Sequence, residues 1–254
     1  PAAYDRFRGS YSLFTDTTAA ESNQGGHKFD SMNGFDVRTL SAATNQPAWM
    51  WKRAKGFFDV VAYTGDTNSG RTVAHSLGVA PEMIWVKCRT DTTSWMVYHA
   101  ALTSYKYLTL DTNAAAVTHN GNWYNTDPTD SVFTVGDGAT NVAQAQIAYL
   151  FATLDGISKV GSYTGNGSSQ TIDCGFSAGA RFVLLKNTSA AHGWHLFDAT
   201  RGIVAGNDPY LLLNTNAAQY TNLDMIDPHN SGFTVLDHGE INGNGNTIIF
   251  YAIA

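Results

Sequence analysis

The chain has 254 residues, 43% hydrophobic and only 14% charged, with 15 Lys+Arg against 21 Asp+Glu for a formal net charge of −6. With 6 Trp, 12 Tyr and 13 Phe it carries ample material for a core, which excludes an intrinsically disordered chain. The acidic balance, with no basic run longer than Lys52-Arg53, excludes the basic stripe that a nucleic-acid partner requires.

Residues 1–55 read as the trailing half of a repeat whose next two copies follow at 56–152 and 153–254. The copies announce themselves by Tyr63-Thr64-Gly65 and Tyr163-Thr164-Gly165, 100 residues apart. TVAHSLGVAPEMIWVK from Thr72 then meets TIDCGFSAGARFVLLK from Thr171, Trp95 meets Trp194, and IAYLFA from Ile147 meets IFYAIA from Ile249. In the first segment Asp5 to Arg8 reads onto Asp198 to Arg201, Leu13 to Ala20 onto Leu108 to Ala115, and Trp49-Met50-Trp51 onto Tyr149-Leu150-Phe151. The chain starts in mid-repeat with neither Met nor an apolar leader, so the expectation is that upstream chain completes this half-repeat.

In the middle repeat, strands are predicted over Phe57 to Tyr63, Arg71 to Ser76, Met83 to Cys88, Trp95 to His99, Tyr107 to Asp111, Val132 to Val135 and Gln146 to Phe151, and the last repeat copies them. Each is bounded by Gly, Asn, Asp or Pro turn chemistry, and 28 Thr, 19 Asn and 24 Gly suit many short strands and tight turns. The fold expected is all-β: tandem antiparallel β-sandwich modules with an N-terminal half-module. The longest apolar run, Ile248 to Ala254, is too short for a membrane-spanning helix, and membrane insertion is not expected.

The residues offer few chemical constellations. Cys88 and Cys174 are too few for a disulfide framework or a thiolate zinc site. There is no G-x-S-x-G elbow and no phosphate loop of the GxxxxGK form, so neither catalytic residues nor cofactors are expected. His192-Gly-Trp-His195 and Asp237-His238-Gly-Glu240 place imidazoles and carboxylates close in sequence, without the spacing of a zinc site. His192 and His195 are three apart on a loop entering a strand, where alternation would point them to opposite faces, and no metal is expected. Asp5/Arg8 and Asp198/Arg201 read as ion pairs holding a strand end to its turn; His99 and Leu102 replace them in the middle repeat. Trp95 and Trp194 read as core anchors, with sugar stacking as the competing role. Trp123 and Tyr124, in the polar stretch HNGNWYNTDP, lack counterparts in the last repeat and are candidates for surface contact, as are His192 and His195.

The succession YTG, HSLGVAPEMIWVK, KYL, VFT and IAYLFA, followed by YTGNGS, resembles the tandem modules of large virion proteins from phages of marine bacteria and cyanobacteria. The resemblance covers 56–254, with 1–55 as the end of a preceding copy; Cys174 in place of His75 is a departure from a shared site. It implies a non-enzymatic structural protein on the virion surface, a tail fibre or surface fibre presenting loops to a host cell-surface glycan or protein. It also implies partners among other virion proteins and self-association, with a homotrimer favoured. The alternatives are a lectin-like carbohydrate-binding module of a secreted adhesin or enzyme, and a tail polysaccharide depolymerase, which would need two facing carboxylates.

Overall fold

The computed structural model describes residues 1–23, 27–28, 34–37 and 47–254; the parts of the expected half-repeat at 24–26, 29–33 and 38–46 lie outside the described residues. The N-terminal segment contributes short strands β1 (Ala2–Ala3), β2 (Tyr11–Phe14), β3 (Ser22–Asn23), β4 (His27–Lys28) and β5 (Asp36–Val37). The middle repeat holds β6 (Phe58–Thr64), β7 (Arg71–Ala74), β8 (Met83–Cys88), β9 (Met96–His99), β10 (Lys106–Thr109), β11 (Val117–Thr118), β12 (Val132–Val135) and β13 (Ala145–Phe151). The last repeat holds β14 (Ser158–Thr164), β15 (Gln170–Asp173), β16 (Phe182–Asn187), β17 (Trp194–Asp198), β18 (Tyr210–Leu212), β19 (Ile226–His229), β20 (Gly232–Val235), a single helical turn α1 (Gly239–Asn242) and β21 (Thr247–Ile253). Among the described residues no helix is long and apolar enough to cross a membrane.

Each repeat is a sandwich of one large and one small antiparallel sheet. In the middle repeat the large sheet runs β11-β10-β9-β8-β13-β6 and the small one pairs β12 with β7; in the last, β14-β21-β16-β17-β18 faces β15-β20-β19. Ile84, Val86, Ala148 and Leu150 of the large sheet meet Val73, Phe133 and Val135 of the small one, and Val183, Leu185, Ile248 and Phe250 meet Ile172, Phe233 and Val235 likewise. The YTG motif closes this frame. Tyr63 Oη donates to Thr140 O at 2.5 Å and Tyr163 Oη to Ile241 O at 2.6 Å. A Cβ on Gly65 would lie 1.9 Å from Val142 O, and one on Gly165 2.3 Å from Gly243 O, so only glycine fits there.

The opposite faces of the two large sheets meet each other. Met83, Trp95, Val97, Leu108, Ile147, Tyr149 and Phe151 from the middle repeat form one apolar cluster with Phe182, Leu184, Trp194, Leu196, Ile249 and Tyr251 from the last. Leu13, Trp49 and Trp51 of the N-terminal segment complete it. Central strands are therefore buried on both faces, which is why β8, β13, β16 and β21 read as near-continuous apolar runs, while β7 and β15, covered on one side, alternate.

Polar contacts repeat around this shared core. Trp95 Nε1 donates to Phe14 O at 2.9 Å, and Trp194 Nε1 donates to Thr109 O at 3.0 Å; Phe14 and Thr109 hold the same place in successive copies. Thr15 Oγ1 closes the circuit by donating to Leu213 O at 2.7 Å. Thr15 N donates to Pro1 O as Leu110 N does to Trp95 O and Leu213 N to Trp194 O, so Pro1 occupies the tryptophan position of the first copy. Glu21 N donates to Arg89 O and Ala116 N to Thr188 O, again equivalent pairs, and Arg89 binds both oxygens of Glu21, at 3.0 and 2.9 Å. The Asp–Arg pairs join in. Arg8 and Arg201 each donate Nε to their Asp at 2.6 Å, pinning the strand end as expected; Tyr149 Oη then donates to Asp5 at 2.7 Å, and Trp49 Nε1 to Asp198 at 3.2 Å.

Two lysines face this inter-repeat side and are fully buried. Lys87 Nζ donates to Cys88 O and Asp91 O; Lys186 Nζ donates to Asn187 O at 2.7 Å and, across the boundary, to Asn113 O at 3.2 Å. Burial lowers the pKa of both, that of Lys186 to about 8.

His99, which stands where the other copies carry Asp, is buried and held neutral, its pKa pushed down to about 4 from 6.5 by burial. The unfolded chain takes up this proton at a higher pH than the folded one, so the linked stability is present above pH 6.5 and is lost as pH falls toward 4. His99→Gln is expected to remove about 3 kcal/mol of that acid-side loss, measured as the difference between wild-type and variant urea stabilities at pH 7 and pH 4.

Candidate functional site

The structure separates the four residues expected at the surface. Trp123 is a correction: only 2% exposed, it packs edge-on against Tyr98 at 5.7 Å and plugs the core between the two sheets of the middle repeat. Tyr124 is 49% exposed; it sits in the left-handed region (φ 51°) with its ring over Gly70. His195 is a second correction, 1% exposed on β17 and covered by its neighbours. His192 is partly exposed.

Nor do the two histidines diverge. His195 Nε2 lies 2.8 Å from Glu240 Oε2 and His192 Nδ1 lies 4.0 Å from Glu240 Oε1. The alternation rule fails because β17 starts at Trp194, leaving His192 in the preceding loop, free of the strand's period. Glu240 arrives from α1. That turn is fastened by Tyr163 Oη on Ile241 O and by Asn242, which donates Nδ2 to Ser168 O at 2.6 Å and Leu236 O at 2.9 Å and accepts at Oδ1 from Gln170 Nε2 at 2.7 Å.

The cluster extends along a column of rings. His195 lies 5.4 Å from Tyr210, and Tyr210 stacks on Tyr220 at 4.9 Å with the planes 12° apart. Tyr210 is buried, while Tyr220 is exposed at the start of a run of neutral polar side chains, Thr221 and Asn222. The hydrogen bond from His195 is the main cause that holds the Glu240 carboxyl below its usual pKa, against the opposing effect of burial. His238, at the head of α1, has its pKa lowered chiefly by burial, with Glu240 acting in the opposite sense. Its Nδ1 is buried without a hydrogen-bond partner.

Comparison of the two full repeats isolates what is special here. Val97 pairs with Leu108 as Leu196 pairs with Leu211, so Met96 stands where His195 does and Tyr107 where Tyr210 does. Tyr107 pairs with Val117 as Tyr210 does with Tyr220. Ala139 precedes Thr140, the acceptor for Tyr63, as Glu240 precedes Ile241, the acceptor for Tyr163. The same frame is thus built with Met, Val and Ala in one repeat and with His, Tyr and Glu in the other. The middle repeat reaches this frame without the polar residues. Sequence reading singled out the two histidines but missed Tyr220 and the role of Glu240, which lies 45 positions from His195.

A family model described as a domain of unknown function, DUF7483, matches residues 2–254. The chain belongs to the DUF7483 family. The DUF7483 match takes in the N-terminal segment and both repeats, the same three parts that share the central core. No curated protein and no solved structure matches this chain.

His195→Met places the middle repeat's residue in the last one. The fold is expected to persist and the Glu240 pKa to rise toward its usual value, read by carboxyl NMR titration. The acid-side stability linked to the depressed Glu240 pKa, present at neutral pH and lost as pH falls through that pKa, is expected to shrink with it.

Proposed function

We propose that this chain is a non-enzymatic structural and adhesive element of a bacteriophage virion, a tail fibre or surface fibre that presents loops to the host cell surface. One observation carries the adhesive part of the reading: a cluster of His195, Glu240 and Tyr220, at whose places the middle repeat has Met96, Ala139 and Val117, stands partly exposed on the frame that both repeats share. The shared core supports the structural part, since three segments locked into one block give a stiff unit that loses little conformational entropy when its loops engage a surface. The resemblance of the YTG, HSLGVAPEMIWVK and IAYLFA phrases to phage virion modules supplies the setting. Self-association, a trimer in this reading, would multiply contacts that are individually weak.

Purified particles of a phage carrying this coding sequence are expected to contain the chain, to bind antibody raised against it, and to adsorb less to host cells when the free chain is present in excess. Particles that lack the chain altogether would overturn the reading.

A further inference from the structure

We infer that the cluster formed by His192, His195, Glu240 and Tyr220 is a binding site for an uncharged saccharide of two or more rings. The inference deepens the adhesive reading above by assigning the ligand class and the residues that meet it.

The first support is the internal control. Two copies of one backbone frame differ at three facing places, where Met96, Val117 and Ala139 are replaced by His195, Tyr220 and Glu240. Burying an imidazole beside a carboxylate instead of a methionine beside an alanine costs desolvation, and the middle repeat shows that the fold has a cheaper solution. The His195–Glu240 bond offsets part of that cost, but the middle repeat builds the same frame without it, and the exposed remainder of the cluster points to a ligand.

The second support is the chemistry of what is exposed. Glu240 is 42% exposed, and His195 holds one of its oxygens, Oε2, at 2.8 Å. Its Oε1, 4.0 Å from the partly exposed His192 imidazole, has acceptor capacity to spare for hydroxyl donors. At the other end of the ring column Tyr220 offers an aromatic face, held rigid by stacking on buried Tyr210. Such a face suits the C–H side of a pyranose, and the exposed Thr221 and Asn222 beside it supply neutral hydrogen-bonding groups.

Charge and length narrow the class. The groups acting on Glu240, His238 and Tyr210 are the imidazoles of His192, His195 and His238 together with Asp237, Glu240 and Tyr220; no Lys or Arg is among them. With no Lys or Arg among these groups there is no permanent cation to hold a uronate or sialate carboxylate, while the free Glu240 oxygen accepts from neutral hydroxyls. Tyr220 is linked to Glu240 through Tyr210 and His195, at ring spacings of 4.9 and 5.4 Å, and a ligand with more than one sugar ring suits contact with both.

The test is titration of the full chain with cellobiose, maltose, lactose and N,N′-diacetylchitobiose, followed by tryptophan and histidine NMR signals and by calorimetry. The parent monosaccharides and glucuronate serve as comparisons. At least one neutral disaccharide is expected to perturb His192 and His195 and to bind more tightly than its monosaccharide and than glucuronate. Tyr220→Val and Glu240→Ala, which install the middle repeat's own residues and so retain the fold, are each expected to weaken binding about tenfold or more. Tyr124→Ala, on the other repeat, is expected to leave it unchanged. Equal binding by the Tyr220→Val and Glu240→Ala variants, preference for glucuronate, or no perturbation by any of the four disaccharides would overturn the inference. A chain found on virions that binds none of them would refute this site alone, and saccharide binding by a chain absent from virions would refute the virion setting alone.

Discussion

The indole of one repeat donating to a backbone carbonyl of the preceding copy is the contact on which the architecture rests. Trp95 and Trp194 are each buried to within a percent of complete, yet each spends its single donor on a neighbour rather than on its own sandwich. That hydrogen bond fixes where adjacent copies sit. The apolar faces that flank it then supply the energy, since truncating one buried Trp costs about 3–5 kcal/mol, a large share of a typical domain's stability of about 5–15 kcal/mol. Everything at the boundary follows the same register: Glu21 on Arg89, Asn113 on Lys186, Tyr149 on Asp5 and Trp49 on Asp198.

A consequence is that the repeats are not beads on a string. In a solenoid each unit touches its neighbours in line, whereas here the N-terminal segment contacts both full repeats and the full repeats contact each other. The polar interior reflects this closure. Lys87 and Lys186 would be untenable on an ordinary sandwich face, but at the boundary their ammonium groups find carbonyls left unused by the sheet ladders. His99 sits there in neutral form, its Nδ1 accepting from Ala101 N, a small polar ring replacing an ion pair that the other copies retain.

Much of the strand content was legible from the residues because alternation and turn chemistry act locally. Met83 to Cys88 and Val132 to Val135 coincide with β8 and β12, and the remaining predicted strands of the middle repeat overlap observed ones. Two things were hidden. A doubly buried strand such as FVLLKN announces burial without saying what lies on either side, so the shared core was invisible, although Lys186 in the middle of that run hinted at a polar neighbour. Trp123 was misread for the converse reason: its sequence neighbours are polar turn residues, while its spatial neighbours are Tyr98 and the rest of the middle repeat's inner core. The His–Glu cluster was half visible, since proximity in sequence flagged His192 and His195, but the carboxylate that unites them arrives from a turn set by Tyr163 and Asn242.

The repeated frame also separates what the fold needs from what it carries. Tyr63 and Tyr163, Gly65 and Gly165, and Asn141 and Asn242 perform the same structural tasks in both copies, so they say nothing about function. Differences at matched positions are where function can reside. The account as a whole stands on the shared core, and calorimetry of the intact chain tests it most directly. One unfolding transition, with calorimetric and van't Hoff enthalpies equal, is the predicted result, because no repeat can open without exposing the faces of the others. Two or more resolved transitions, or a calorimetric enthalpy well above the van't Hoff value, would show the repeats unfolding separately and contradict it.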